Sequence, residues 1–207
     1  MHVCVKKTFK KYTKINTKSG LQGFEVARRI LDMNGLNNVD IVETKGELSD
    51  HYDPTRKVVR LSSDIYHGTS IASSSVAAHE CGHAIQDKVG YVFLRIRHML
   101  VPTVNLCSKL GYVVIFIGLL LGTFKLAMIG LILLGAILLF QLVTLPVEFN
   151  ASRRALKVLD EYGILTDEEN GAAKKVLGAA AMTYVASMLV ALGSFLRVLM
   201  LFGRRRD

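Results

Sequence analysis

His79 and His83 stand one helical turn apart, with a carboxylate, Glu80, directly after the first of them. Side chains four apart share one face of a helix, so two imidazoles at that spacing can meet a single metal ion. Zn²⁺ accepts two such nitrogens in a tetrahedral site, and a carboxylate beside them is placed to take a proton from water that the metal acidifies. The surrounding Ala72, Ser73, Ser74, Ser75, Ala77, Ala78, Gly82 and Ala84 are small and permit close packing around a site. The plainer alternative is a pair of histidines packed or solvated on a helix. A catalytic zinc needs a third protein ligand and an open position. Glu148 is the leading candidate, because it stands at the exit of a long apolar run, where a carboxylate is costly without a partner. Asp160 and Glu161 are weaker candidates further along.

Other residues with reactive atoms carry blander readings. Asp50, His51 and Asp53 surround an Asp53-Pro54 turn, which gathers such side chains without a metal. Cys81 reads as a small packing residue that oxidation near a metal could reach, and His67 and His98 read as surface residues. Cys4, Cys81 and Cys107 are an odd number without paired spacing, which argues against a disulfide framework and agrees with a reducing compartment.

The elements that would position the site can be read from periodicity. Leu21 to Met33 is amphipathic, with Phe24, Ala27, Ile30 and Leu31 on one face and Arg28 and Arg29 on the other, and Asn34-Gly35 stops it. Val39 to Glu43 and Lys57 to Ser62 read as short strands. Thr69 or Ser70 caps a helix that carries both histidines and runs to about Val89, where Gly90 ends it.

From Leu110 to Val147 the only charge is Lys125. As helix this run is about 57 Å long, nearly twice a hydrocarbon core of about 30 Å, so it reads as a hairpin of two spanning helices. Its tip falls near Gly122-Thr123-Phe124-Lys125, and its first arm extends back toward Met99 through Pro102. A polar helical stretch follows from Glu148 to Tyr162. Thr166 with Asp167, Glu168 and Glu169 then opens another helix, apolar from Val176 to Phe202 apart from Arg197. Gly118 and Gly122 offer a small-residue pair that could seat a neighbouring helix.

Composition supports a membrane protein: 51% of the 207 residues are hydrophobic and the formal net charge is +9. Lys6, Lys7, Lys10, Lys11, Lys14 and Lys18 form a run without an acid, which suits an anionic lipid surface. Basic residues are not interleaved with aromatics, so nucleic-acid binding is not indicated. With no Trp, interfacial anchoring falls to 7 Tyr and 9 Phe. The Lys-rich start does not read as a secretory signal. Lys and Arg concentrate before Met99 and again between Glu148 and Lys175, which places both regions in the cytoplasm if the hairpin crosses twice. Arg204, Arg205 and Arg206 would then end outside if the last helix spans, against the charge rule; either that helix stops short or the short tail is overruled.

His79-Glu80-Cys81-Gly82-His83, followed after a membrane hairpin by Glu148-Phe149-Asn150-Ala151-Ser152, resembles the HExxH and EFxAD pair of the HtpX and CAAX prenyl protease group. The sequence is more similar still to the YugP-like membrane zinc metallopeptidases of bacteria, through Ser19-Gly20-Leu21, Asp50-His51-Tyr52-Asp53-Pro54, Val59-Arg60-Leu61-Ser62 and above all Val76 to Gln86. The resemblance implies His79, His83 and Glu148 as zinc ligands and Glu80 as the catalytic base. Two departures stand out. Ser152 occupies the position of an Asp in HtpX-like enzymes, which puts the partner of a ligand in question. The apolar N-terminal helix usual in relatives is not found before Lys6.

The expected fold is therefore mainly α and integral to the membrane, with a zincin-like α+β catalytic domain, a small sheet, a transmembrane hairpin and a C-terminal apolar helix. Residues 1–98 would carry the HExxH helix, 99–147 the hairpin, 148–175 the third ligand, and 176–207 the last helix and basic tail. The expected function is a multi-pass zinc metalloendopeptidase of a bacterial cell membrane, hydrolysing membrane or membrane-proximal proteins from a cytoplasmic catalytic part. The alternatives are a zinc-stabilised scaffold without catalysis, or another zinc hydrolase such as an amidase. Tyr184 is a candidate donor to the oxyanion, with a packed membrane tyrosine as its alternative. The Lys57–Ser62 strand is the expected edge for an extended substrate.

Overall fold

The computed structural model describes residues 2–203 of the chain, with side chains from residue 7 to residue 200 apart from 119, 124 and 127. The basic tail of Arg204, Arg205 and Arg206, together with the side chains of Cys4 and Lys6, lies outside the described residues. The chain is mainly helical with one small mixed sheet, and it divides into two compact units.

The first unit holds residues 1–91 and 148–183. It begins with α1 (His2–Tyr12), a helix that the Lys-rich sequence concealed; Lys10 and Lys11 in its last turn suit the negative end of the helix dipole. α2 (Gly23–Met33) follows the expected amphipathic segment and starts in a capping box between Gln22 and Glu25. Three strands come next, β1 (Asp40–Thr44), β2 (His51–Asp53) and β3 (Val58–Ser62), in the order β1-β3-β2. β1 runs parallel to β3 and β2 antiparallel to it. A short α3 (Ser63–Tyr66) leads to α4 (Ile71–Lys88), where Ser70 Oγ accepts the Ser73 N–H at 3.1 Å and Gly90 turns out of the helix at φ +65°.

The core of this unit forms because the apolar stripe of α2 meets a helix face made of small residues. Val26, Ala27, Ile30 and Leu31 are fully buried with Ala77, Ala78, Cys81 and Ala84 of α4, Val59 and Leu61 of β3, and Ala155 and Leu159 further along the chain. Burial of this kind stabilises by about 25 cal/mol per Å² of apolar surface.

Residues 92–147 and 184–207 form the second unit. α5 (Val92–Leu120) starts a turn or two earlier than Met99 and continues through Pro102. α6 (Phe124–Glu161) passes Pro146 without a break, so the polar stretch from Glu148 is the end of the membrane helix rather than a separate element. α7 (Asp167–Gly203) likewise joins its acidic start and its apolar run in one helix. Among the described residues, three helices are thus long and apolar enough to cross a membrane. Leu106, Phe116, Leu120, Ile132 and Val190 are each at least 60% exposed, as surfaces meant for lipid are.

Of the expected pair Gly118 and Gly122, the second does not seat a helix. Gly122 sits in the turn between α5 and α6 at φ +64° and faces no neighbour. The close approach is made instead by Gly111 and Gly130, where a Cβ on Gly130 would come 2.8 Å from the Ile115 nitrogen and 3.0 Å from the Gly111 oxygen.

Candidate metal centre

α4 and the last turns of α6 bring three ligand-type side chains together. His79 and His83 lie on one face of α4, with ring centroids 4.8 Å apart and planes at 85°. Glu148 Oε2 lies 3.3 Å from Nε2 of His79 and 3.8 Å from Nε2 of His83. Tetrahedral ligands about 2.0–2.1 Å from a zinc ion are themselves a little over 3 Å apart, so the donor set and spacing fit Zn²⁺. Glu148 is 2% exposed, yet both imidazoles sit at its carboxylate. No other group of three or more such ligands exists among the described residues.

Gly82 makes this approach possible. A Cβ there would stand 2.6 Å from the Ala151 carbonyl oxygen, so α6 can come this close only to a glycine. The same residue that separates Cys81 from His83 thus delivers Glu148, three residues before Ala151, to the histidines.

The Nδ1 atoms are held from behind. Ser152 Oγ lies 3.2 Å from Nδ1 of His79, so the serine at the departing position itself supplies the partner that the sequence left in question. Behind His83 runs a chain with one possible direction. The Arg154 guanidinium only donates, and its Nε reaches Asn150 Oδ1 at 2.8 Å. That oxygen also accepts from Gln86 Nε2 at 3.0 Å, which turns Gln86 Oε1 toward His83 Nδ1 at 3.0 Å. Nδ1 of His83 therefore carries the proton, and Nε2 presents its lone pair beside Glu148. Gln86, Asn150 and Arg154 were missed from the sequence as site residues. Their only signal is spacing: Gln86 three after His83, and Asn150 and Arg154 one turn apart.

Glu80 is buried beside this cluster. Burial pushes its carboxyl up to about 7, with nearby Glu148 and Asp50 adding to the rise while His79 and the backbone of Tyr52 oppose it. A family model described as "Putative neutral zinc metallopeptidase" matches residues 1–203. The chain belongs to this family. It is also similar to "Putative membrane protease YugP" of Bacillus subtilis (strain 168), with 49% identity over 203 residues, 98% of this chain and 90% of that one. No solved structure matches. The family, the membrane-protease relative and the three apolar helices together make this a membrane protein.

The remaining candidates fall elsewhere. Asp160 and Glu161 end α6 and are not in the cluster; Glu161 pairs with Lys157 at 3.4 Å. Asp50 accepts the Ser62 N–H at 2.7 Å, Asp53 accepts from the Thr55 and Arg56 N–H groups, and exposed His51 lies 2.8 Å from the Ser49 carbonyl. The Asp53 and His51 contacts are local turn bonds, and the Asp50 bond ties the start of β2 to the end of β3. Burial pushes the Cys81 thiol up, and its Sγ–H points at the Ala27 carbonyl at 3.6 Å, so it packs as a protonated thiol. His67 and His98 are exposed, His67 beside Glu43 at 3.4 Å. Tyr184 falls on α7 in the second unit. The Lys57–Ser62 strand is corrected: β3 is central, bonded on both sides, and β2 is an edge.

Proposed function

We propose that this chain is a zinc-dependent endopeptidase of the membrane, built on a zincin-like catalytic domain, that hydrolyses peptide bonds in membrane or membrane-proximal proteins. The observation that carries the reading is the convergence of His79 and His83 Nε2 on the Glu148 carboxylate, with Glu80 buried alongside. Those three side chains would hold zinc, which when bound supplies Lewis acidity toward a carbonyl and toward water. Glu80 moves the proton, accepting it from the attacking water and returning it to the nitrogen of the leaving amine. Ser152 and Gln86 keep the two imidazoles turned so that Nε2 faces inward.

The free edge of β2 is the proposed rest for an extended substrate, since the Tyr52 backbone reaches the Glu80 carboxylate. Tyr52 Oη donates to Asp87 at 2.8 Å, which ties this strand to α4. The charge distribution supports a cytoplasmic catalytic part, with the Lys-rich α1 region meeting anionic lipid. A purely structural zinc favours a closed set of four Cys and His ligands and has no use for a buried carboxylate between two of them. The test is a casein or membrane-protein cleavage assay on wild type and Glu80→Gln with equal zinc content. Loss of cleavage by at least about 100-fold supports the reading; equal cleavage removes Glu80 from the mechanism.

A further inference from the structure

The first unit also holds a groove of about 610 Å³ between the polar turns of α6 and α7. Gly171 and Gly178 form an open side, with nothing within 4 Å of where a Cβ would stand. The register of the two helices is fixed by Asn170 Nδ2, which donates to the Leu156 carbonyl at 3.3 Å. Counting turns from that bond, Arg153 comes level with Lys174, Asp160 with Asp167, and Phe149 with Leu177. All six line the groove. Its walls are therefore banded: two acids at the closed end of the hairpin, two cations in the middle, and an apolar band on the turns that lead into the membrane segments of both helices.

The four charged side chains are exposed and make no ion pair or side-chain hydrogen bond among the described residues. Asp160 is especially uncompensated, because it lies in the last turn of α6, where the helix dipole disfavours an anion. On each helix the cation and the acid are separated by seven positions, about 10.5 Å along the axis. Arg153 and Lys174 carry long, flexible side chains that can lean toward the acids and shorten this spacing at their charged ends.

We infer that this groove binds the headgroup of an ethanolamine phospholipid. The phosphate would lie between Arg153 and Lys174, the ammonium would donate to Asp160 and Asp167, and an acyl chain would follow Phe149 and Leu177 toward the bilayer. The order apolar, cationic, acidic matches tail, phosphate and ammonium. A glycerol headgroup offers the two acids hydroxyl donors but no positive charge, and a quaternary ammonium has no N–H to donate. Ser152 also lines the groove, so a bound lipid touches the side chain that orients His79. The inference does not depend on the protein being a peptidase.

Native mass spectrometry of the full chain in detergent, titrated with phosphatidylethanolamine, phosphatidylcholine or phosphatidylglycerol, tests it. Wild type should hold one phosphatidylethanolamine about tenfold more tightly than either other lipid. Arg153→Gln with Lys174→Gln should weaken it by about tenfold or more, and Asp160→Asn with Asp167→Asn should erase the preference over phosphatidylglycerol. All four positions are exposed, and unchanged helical circular dichroism checks that the variants fold. Equal or tighter binding of phosphatidylglycerol by wild type, affinities unmoved in both double variants, or a co-purifying peptide in place of lipid would overturn the inference.

Discussion

Both units of this protein use glycine to bring helices into contact, and they use the contact differently. In the second unit Gly130 meets Gly111 and the Ile115 backbone, and the result is packing between apolar helices. In the first unit Gly82 meets the Ala151 carbonyl, and the result is a carboxylate delivered to two imidazoles. Close approach is a general device; what it yields depends on which side chains stand one turn away. The surroundings differ accordingly: exposed apolar side chains in the second unit, and a hydrogen-bonded polar chain behind the histidines in the first.

The sharpest way to break the comparison is to fill each contact with a methyl group. Gly82→Ala should push α6 away and lower zinc affinity by about 100-fold or more, read by chelator competition. Gly130→Ala should lower thermal stability by about 1–3 kcal/mol and leave zinc binding unchanged. A Gly82→Ala chain that binds zinc as tightly as wild type would mean that Gly82 does not control the approach of Glu148. Next in size is the chain behind His83: Gln86→Ala should weaken zinc by about 10- to 100-fold, since Nδ1 loses the acceptor that fixes its proton. Ser152→Ala should cost about tenfold, and Ser152→Asp should recover it because a carboxylate accepts from Nδ1 more strongly.

An effect of another kind is a pH slope in the metal-free chain. Glu80 titrates near 7 when folded and near 4.5 in an unperturbed state, so the folded chain holds a proton that the unfolded chain releases. Stability of the chelator-treated protein should therefore fall as pH rises from about 4.5 to 7, and that slope should vanish in Glu80→Gln. Denaturant titrations at several pH values measure it.

Much of this was legible in the sequence because strong local signals agree with the fold. The amphipathic stripe of α2, the Ser70 cap and Gly90 stop of α4, the Gly122 turn and the pair of histidines four apart were read directly. Glu148 was singled out because a carboxylate next to an apolar run demands a partner, and it lies beside both imidazoles. What escaped has physical reasons. β2 is only three residues long, too short for alternation to register. α1 hides behind its lysines, and α6 runs through Pro146 because only the composition of the helix changes there, not its path. Gln86, Asn150 and Arg154 act through contacts between distant segments, which no local pattern announces.

The central claim is that His79, His83 and Glu148 form one metal site, and counting metal tests it most directly. Elemental analysis of detergent-purified wild type, His83→Ala and Glu148→Ala should give about one zinc per chain in the wild type and a large loss in both variants. No zinc in the wild type after supply during expression, or full zinc in Glu148→Ala, would contradict the site as described.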